Sequence, residues 1–225
     1  MSLLPQITQS LRALDPVVTA PEEQLAKSIE RYIALIEKWN KVHNLTAIRS
    51  PQEMLTQHVM DSLVVLPHIH GAHIIDVGTG AGLPGIPIAL AKSDWQVTLV
   101  ESNQKKIAFL QQVKIELELK NVEIMAQRIE HIVVSKSVNT IISRAFSELG
   151  EFVALTRQWA NAQNIDCRWV AMKALCSEQE RKQIREPFVI EDIVTLNVPE
   201  LKAARQLVII KYDLDSVASN KEPMP

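Results

Sequence analysis

Ile74-Ile75-Asp76-Val77-Gly78-Thr79-Gly80-Ala81-Gly82-Leu83-Pro84-Gly85-Ile86-Pro87 decides how this 225-residue chain folds. An apolar run ends in an acid, a glycine-rich turn follows, and Pro84 to Leu90 opens a helix. Strand, loop and helix thus follow in direct succession. The glycines at 78, 80, 82 and 85 permit positive φ and close approach of a ligand to the backbone. The N–H groups of the following helix are expected to face the same place. A tight turn alone would not need so many glycines, and the loop is expected to bind a ligand.

Three ligand classes use such a turn. A P-loop requires Lys followed by Ser or Thr after its last glycine, whereas Gly85 is followed by Ile86-Pro87. Gly80-x-Gly82-x-x-Gly85 matches a dinucleotide fingerprint, but Leu83-Pro84 sits where a pyrophosphate needs open N–H groups. Asp76-x-Gly78-x-Gly80 is the pattern of an S-adenosylmethionine site, which needs no phosphate cradle.

Working outward, 47% hydrophobic content over this length supports a sizeable core. A net charge of −2 carries no global footprint for nucleic acid, which weighs mildly against an RNA substrate. Cys167 and Cys176 lack metal-ligand spacing and fit a reduced cytoplasmic protein; no metal site is expected. No stretch is apolar and long enough for a membrane span, and no signal peptide is recognisable.

Residues 1–70 read as a helical extension. Thr19-Ala20-Pro21-Glu22 offers a capping box, after which Leu25, Ile29, Tyr32, Ile33, Ile36 and Trp39 repeat at helical spacing. Ser50-Pro51-Gln52-Glu53 opens a second helix expected to run until Pro67. On it His58, Asp61 and Ser62 share a face. They form either a catalytic pair or, as the plainer expectation, a set in which Asp61 orients His58 or both bond the preceding polar loop.

From residue 73 strands and helices alternate: strands at 73–77, 96–101, 122–125, 139–143 and 168–172, with helices at 105–119, 148–160 and 177–185. Two further runs, 188–196 and 205–211, are separated by too short a connection for a parallel crossover and should form a hairpin. The expected fold is α/β: a seven-stranded, mostly parallel, Rossmann-like sheet of the S-adenosylmethionine-dependent methyltransferase kind. Its domain spans 71–215, and residues 216–225 form a frayed tail. A dinucleotide fold would instead close with a second α/β half.

Ligands in such sheets bind beyond the carboxyl ends of the strands. Gly78 and Gly80 follow the first strand. Glu101 follows the second, where an acid can accept both ribose hydroxyl hydrogens. Gln127-Arg128-Ile129-Glu130 follows the third, where an adenine would lie, and Ser143-Arg144-Ala145-Phe146 follows the fourth. Arg144 suits a carboxylate or a phosphate.

The chain resembles the glucose-inhibited division protein B family of bacterial 16S ribosomal RNA methyltransferases. The resemblance lies in Lys38-Trp39-Asn40-Lys41 with Asn44-Leu45-Thr46, His58 with Asp61-Ser62-Leu63, Asp76 to Pro87, Lys105-Lys106 with Phe109-Leu110, and Ile142 to Phe146. It implies methyl transfer from S-adenosylmethionine to N7 of a guanine in 16S rRNA of the small ribosomal subunit. It also implies that Gly78, Leu83, Ile129, Glu130 and Arg144 are cofactor contacts, beside Gly80 and Glu101. The family often has Lys-Gly after the fifth strand, whereas here Lys173 is followed by Ala174. N7 carries a free lone pair, so no general base is required and the catalytic residues stay unassigned. Asn44, His58 and Asp61 are candidates to hold the base. A methyltransferase acting on a small molecule is the alternative.

Overall fold

The computed structural model describes residues 2–14, 20–132, 137–144, 146, 148–159 and 166–213. Thr19, Ala145, Ala160 and the tail 216–225, on which expectations had been placed, lie outside the described residues.

Seven strands form one sheet: β1 His73–Val77, β2 Gln96–Val100, β3 Val122–Met125, β4 Thr140–Ser143, β5 Arg168–Lys173, β6 Phe188–Leu196 and β7 Arg205–Tyr212. Their order is β3-β2-β1-β4-β5-β7-β6. The first five pair in parallel, while β7 runs antiparallel between β5 and β6. The expected terminal hairpin is therefore present, folded so that β7 enters beside β5 and β6 takes the edge. Order reverses between β2-β1 and β4, which places the switch point at the carboxyl end of β1.

Helices α1 Leu4–Ala13 and α2 Glu22–His43 come first. A continuous helical segment follows as α3 Pro51–Met54, a π-helical turn Leu55–Met60 and α4 Asp61–Leu63. Pro67 does not stop this segment but sits inside a separate 3-10 turn, Leu66–His68, where the first turn tolerates its missing N–H. The remaining helices are α5 Gly85–Ala91, α6 Gln104–Glu116, α7 Leu149–Thr156 and α8 Glu178–Arg181. Three are shorter than expected. Glu118 takes a left-handed φ of 54° just after α6, α7 tightens into a 3-10 turn at Arg157–Trp159, and α8 keeps its capping box of Ser177 and Glu180 for a single turn. At α2 the cap is Pro21 without a side-chain bond.

Strand alternation divides the core. Ile74, Ile142, Val170 and Met172 face one side and join α1, α2, the 51–63 segment, α5 and α6 in one cluster. Ile75, Val77, Ile141, Trp169 and Ala171 face the other with Phe152 and Trp159. The N-terminal helices share the core of the sheet rather than forming their own. Cys167 and Cys176 are both buried and free.

One bond ties this helical layer to the glycine loop. The hydroxyl of fully buried Tyr32, on α2, donates to the carbonyl of Ala81 at 2.6 Å. Burial pushes the phenol pKa upward and keeps it a donor. Tyr32→Phe strands that carbonyl, and unfolding free energy is expected to fall by roughly 1–3 kcal/mol. Urea titration reads this as a lower midpoint at unchanged slope; an unmoved midpoint would show that the carbonyl is satisfied otherwise.

Candidate functional site

The loop after β1 is built from the acid upward. Asp76 is fully buried, and its Oδ2 accepts from the Thr79 hydroxyl at 2.6 Å and from the Gly85 N–H at 2.8 Å. This folds the glycine segment back over the strand. Gly85 is forced by packing, since a Cβ there would stand 2.3 Å from Leu99 Cδ2 and 2.9 Å from Asp76 Oδ2. Gly80 is forced by conformation: its φ is +62°, while a Cβ would meet nothing closer than 3.9 Å. The two glycines therefore do different jobs, one seating α5 and one leaving open space above the loop.

Most N–H groups of the loop are spent inside the protein. Gly78 and Thr79 donate to the Val100 carbonyl, Gly82 and Leu83 to that of Thr79, and Ile86 to that of Gly82. Gly80 donates to Glu101 Oε2 at 3.1 Å. This corrects the expectation that helix N–H groups face a ligand: α5 begins with its first donors already taken by Asp76 and the loop. A pyrophosphate cradle, which needs such donors, is not built here.

A cleft of about 130 Å³ opens at this switch point, lined by Gly78, Glu101, Arg128, Ile129, Glu130 and Phe146 among others. The structure thus gathers Gly78, Glu101, Ile129 and Glu130 in one place, with Gly80 bonded to Glu101. Larger cavities lie elsewhere, one of about 410 Å³ between Pro21, Leu90 and Asn121 at the far ends of the strands. We assign the site to the smaller cleft because it stands where the strand order reverses, at the carboxyl ends.

Glu101 is 8% exposed, and its carboxylate already accepts from Gly80, from Ser102 and Asn103 at 2.9 Å each, with Lys106 Nζ at 3.9 Å. Of about four acceptor directions, three are occupied. Room is left for one further hydrogen bond, not the two foreseen from the sequence. The glycine backbone, the apolar Ile129 and this remaining acceptor suit an adenosine-type group without phosphate.

Leu83 and Arg144 stand apart from the cleft. Leu83 is buried in the core with its N–H bonded to Thr79. Arg144 turns toward the π-helical turn, donating through Nη1 to the Gln57 carbonyl at 3.0 Å and reaching Asp61 Oδ2 at 3.5 Å. Asp61 Oδ1 accepts from Arg205 Nε at 2.9 Å. His58 pairs with Thr46 Oγ1 through Nε2 at 2.9 Å and with the Gln57 carbonyl through Nδ1 at 3.2 Å. His58 and Asp61 therefore form no catalytic pair. His58 bonds the preceding loop as the plainer expectation held, but Asp61 serves two arginines and not the histidine. Burial, then Arg144, lowers the His58 pKa to about 4, so the ring is neutral at pH 7.

Asn40, buried on α2, donates to the Ile48 carbonyl at 3.1 Å and accepts from the Thr46 N–H at 3.0 Å, and Arg49 bonds Asn44 Oδ1 at 2.9 Å. The polar loop 44–49 is thereby held rigidly beside His58. Lys173 keeps its place at the end of β5, paired with Glu180 at 2.5 Å. Ala174 is not among the residues with positive φ, so the missing glycine costs nothing there. Among the described residues no group of three His, Cys, Asp or Glu side chains could hold a metal, and no helix is long and apolar enough to cross a membrane.

Tyr32 and Arg205 escaped the sequence reading. Tyr32 looked like one apolar position among several. Arg205 begins a strand, and only the antiparallel course of β7 brings a strand beginning to the rim where the parallel strands end.

A family model described as rRNA small subunit methyltransferase G (GidB) matches residues 25–209. The ribosomal RNA small subunit methyltransferase G of Nitrosomonas europaea is 48% identical over 212 residues, covering 94% of this chain and 99% of that one. The protein of the same name from Nitrosospira multiformis is 54% identical, covering 80% and 86%. Among solved structures, the tRNA methyltransferase TrmK of B. subtilis aligns at a TM-score of 0.56 and 11% identity, covering 74% of this chain and 71% of that one. A SAM-dependent methyltransferase from Aquifex aeolicus aligns at 0.51 and 16%, covering 71% and 93%. The structural matches bear on the fold: both share the doubly wound sheet.

Asp76 carries a testable cost. Burial raises its carboxyl pKa from 3.8 to about 6, outweighing the bonds from Thr79 and Gly85, and Oδ1 is buried without a partner among the described residues. A raised folded-state pKa means stability that is fully present below pH 4 and lost as pH rises through 6. The stability of the native protein relative to Asp76→Asn should therefore fall by about 2 kcal/mol between pH 4 and pH 7. Urea titrations across that range check it; a flat difference would mean that Asp76 titrates as a free carboxyl.

Proposed function

We propose, since the chain belongs to the rRNA small subunit methyltransferase G family, that it methylates 16S ribosomal RNA with S-adenosylmethionine as donor. The observation that carries the cofactor reading is the loop whose backbone donors are mostly used within the protein, beside a buried carboxylate with one acceptor direction free. The acceptor is N7 of a guanine, and the substrate is the RNA within the small subunit. Residues 1–70 act as a helical extension and 71–215 as the methyltransferase domain. The protein works in the cytoplasm, and the reaction uses no metal.

When bound, S-adenosylmethionine supplies an electrophilic methyl group on a sulfonium sulfur. Gly78 and Gly80 let the backbone approach the ribose and methionine portion, with Leu83 closing the turn beneath. Glu101 accepts one ribose hydroxyl hydrogen. Ile129 gives the adenine an apolar face, and Glu130 meets its polar edge. Arg144 offers its guanidinium to the carboxylate of the methionine portion.

Guanine N7 attacks with an in-plane lone pair, and no proton leaves in the bond-forming step. His58 fits this chemistry: both its nitrogens are committed, so it braces loop 44–49 instead of acting as a base. Rate enhancement then comes from alignment, which can supply roughly 7–11 kcal/mol. Asn44 remains exposed at the rim and is the candidate to meet the base. Phosphates would be met locally despite the net charge of −2. Trp39 on α2 packs edge-on against Phe109 on α6 with ring centroids 5.6 Å apart, which joins the helix that carries Lys38 and Lys41 to the one that carries Lys105 and Lys106.

Labelled methyl transfer to small ribosomal subunits from a strain lacking the activity tests this reading, with the modified nucleotide mapped by N7-specific cleavage. Label at a single guanine is expected. Binding of the cofactor without labelling of RNA would turn the assignment toward a small-molecule acceptor.

A further inference from the structure

Asp61, Arg144 and Arg205 come from three distant parts of the chain and meet at the rim. The Asp61 carboxylate is 2% exposed and lies between two guanidinium groups. Their bonds to it are unequal. Arg205 Nε donates to Oδ1 at 2.9 Å, whereas Arg144 Nη1 stands 3.5 Å from Oδ2 and makes its shorter bond, 3.0 Å, to the Gln57 carbonyl. Arg205 is itself fixed by a bond from Nη1 to the Ala204 carbonyl at 3.0 Å. One carboxylate cannot neutralise two guanidiniums, so the group keeps a net positive charge in a half-buried place. Among the described residues the Nε and Nη2 groups of Arg144 have no acceptor, and its side chain is 26% exposed.

Because Arg205 holds Asp61 by the shorter bond, it decides which way the carboxylate turns. Without Arg205, the buried Asp61 charge would draw Arg144 into a two-point pair and close its open edge. We infer that Arg205 is a positioning residue: by occupying Asp61 it keeps the outer edge of Arg144 available to the carboxylate of the cofactor's methionine portion. The inference rests on the proposed role of Arg144. It makes the β6–β7 hairpin, antiparallel and remote in sequence from the glycine loop, a working part of the site.

Two ligands separate this from a purely structural role. S-adenosylhomocysteine carries the amino-acid carboxylate; methylthioadenosine carries the same adenosine and thioether without it. Dissociation constants are measured by calorimetry for the native protein, Arg144→Gln, Arg205→Gln and Arg205→Lys. Arg144→Gln and Arg205→Gln should each weaken S-adenosylhomocysteine by about tenfold and leave methylthioadenosine unchanged, the loss expected for one charge-assisted contact. Arg205→Lys, which keeps a cation beside Asp61, should recover most of the affinity, and it also serves should Arg205→Gln not fold. If Arg144→Gln affected both ligands equally or neither, the role given to Arg144 would fall. If Arg144→Gln were selective while Arg205→Gln left S-adenosylhomocysteine binding intact or weakened both ligands alike, the inference about Arg205 would fall alone. Arg205→Lys binding no better than Arg205→Gln would overturn it equally.

Discussion

The buried carboxylate of Asp76 is the constraint on which the site depends. It is expensive to bury, and one oxygen has no partner among the described residues. Its other oxygen gathers the Thr79 hydroxyl and the Gly85 N–H, and that pair of bonds sets the path of the loop and the start of α5. Everything above it inherits this geometry. Gly80 takes its left-handed turn because the chain must come back over β1, and Glu101 can reach the Gly80 N–H because the turn ends beside β2. Tyr32 then fastens the outer side of the loop to α2. An acid at the end of the first strand is thus a framework group whose solvation loss is offset by the order it imposes.

A second layer of order surrounds the opening. The π-helical turn at Leu55–Met60 carries the Gln57 carbonyl that meets Arg144 and the His58 ring that meets Thr46. Such turns widen a helix locally and recur where a backbone group must be diverted from the helical ladder. Here the diversion joins the N-terminal helices to the end of β4. Polar groups that looked like reagents in the sequence prove to be braces.

Much of the fold was legible because its signals are local. β1, β3 and β6 begin and end where their apolar runs do, and the short 196–205 connection compelled a hairpin. Helix ends were harder: nothing in the sequence announces the left-handed Glu118 or the 3-10 turn after α7. At the site, Gly78, Glu101, Ile129 and Glu130 could be found because parallel strands put their last residues at one rim. Arg205 could not, since its place depends on which neighbour β7 chooses and in which direction it runs. The partition of Glu101's lone pairs was equally hidden, because backbone donors leave no mark in a sequence.

The largely self-bonded backbone of the glycine loop bears on selectivity inside a cell. Adenine nucleotides share their adenosine half with S-adenosylmethionine and compete for any pocket that reads only base and ribose. A triphosphate chain laid over this loop would shed water and find few free amides where other nucleotide folds present a row of them. The loop's self-sufficiency thus works as a filter, refusing abundant phosphorylated competitors at the point where they differ from the wanted ligand.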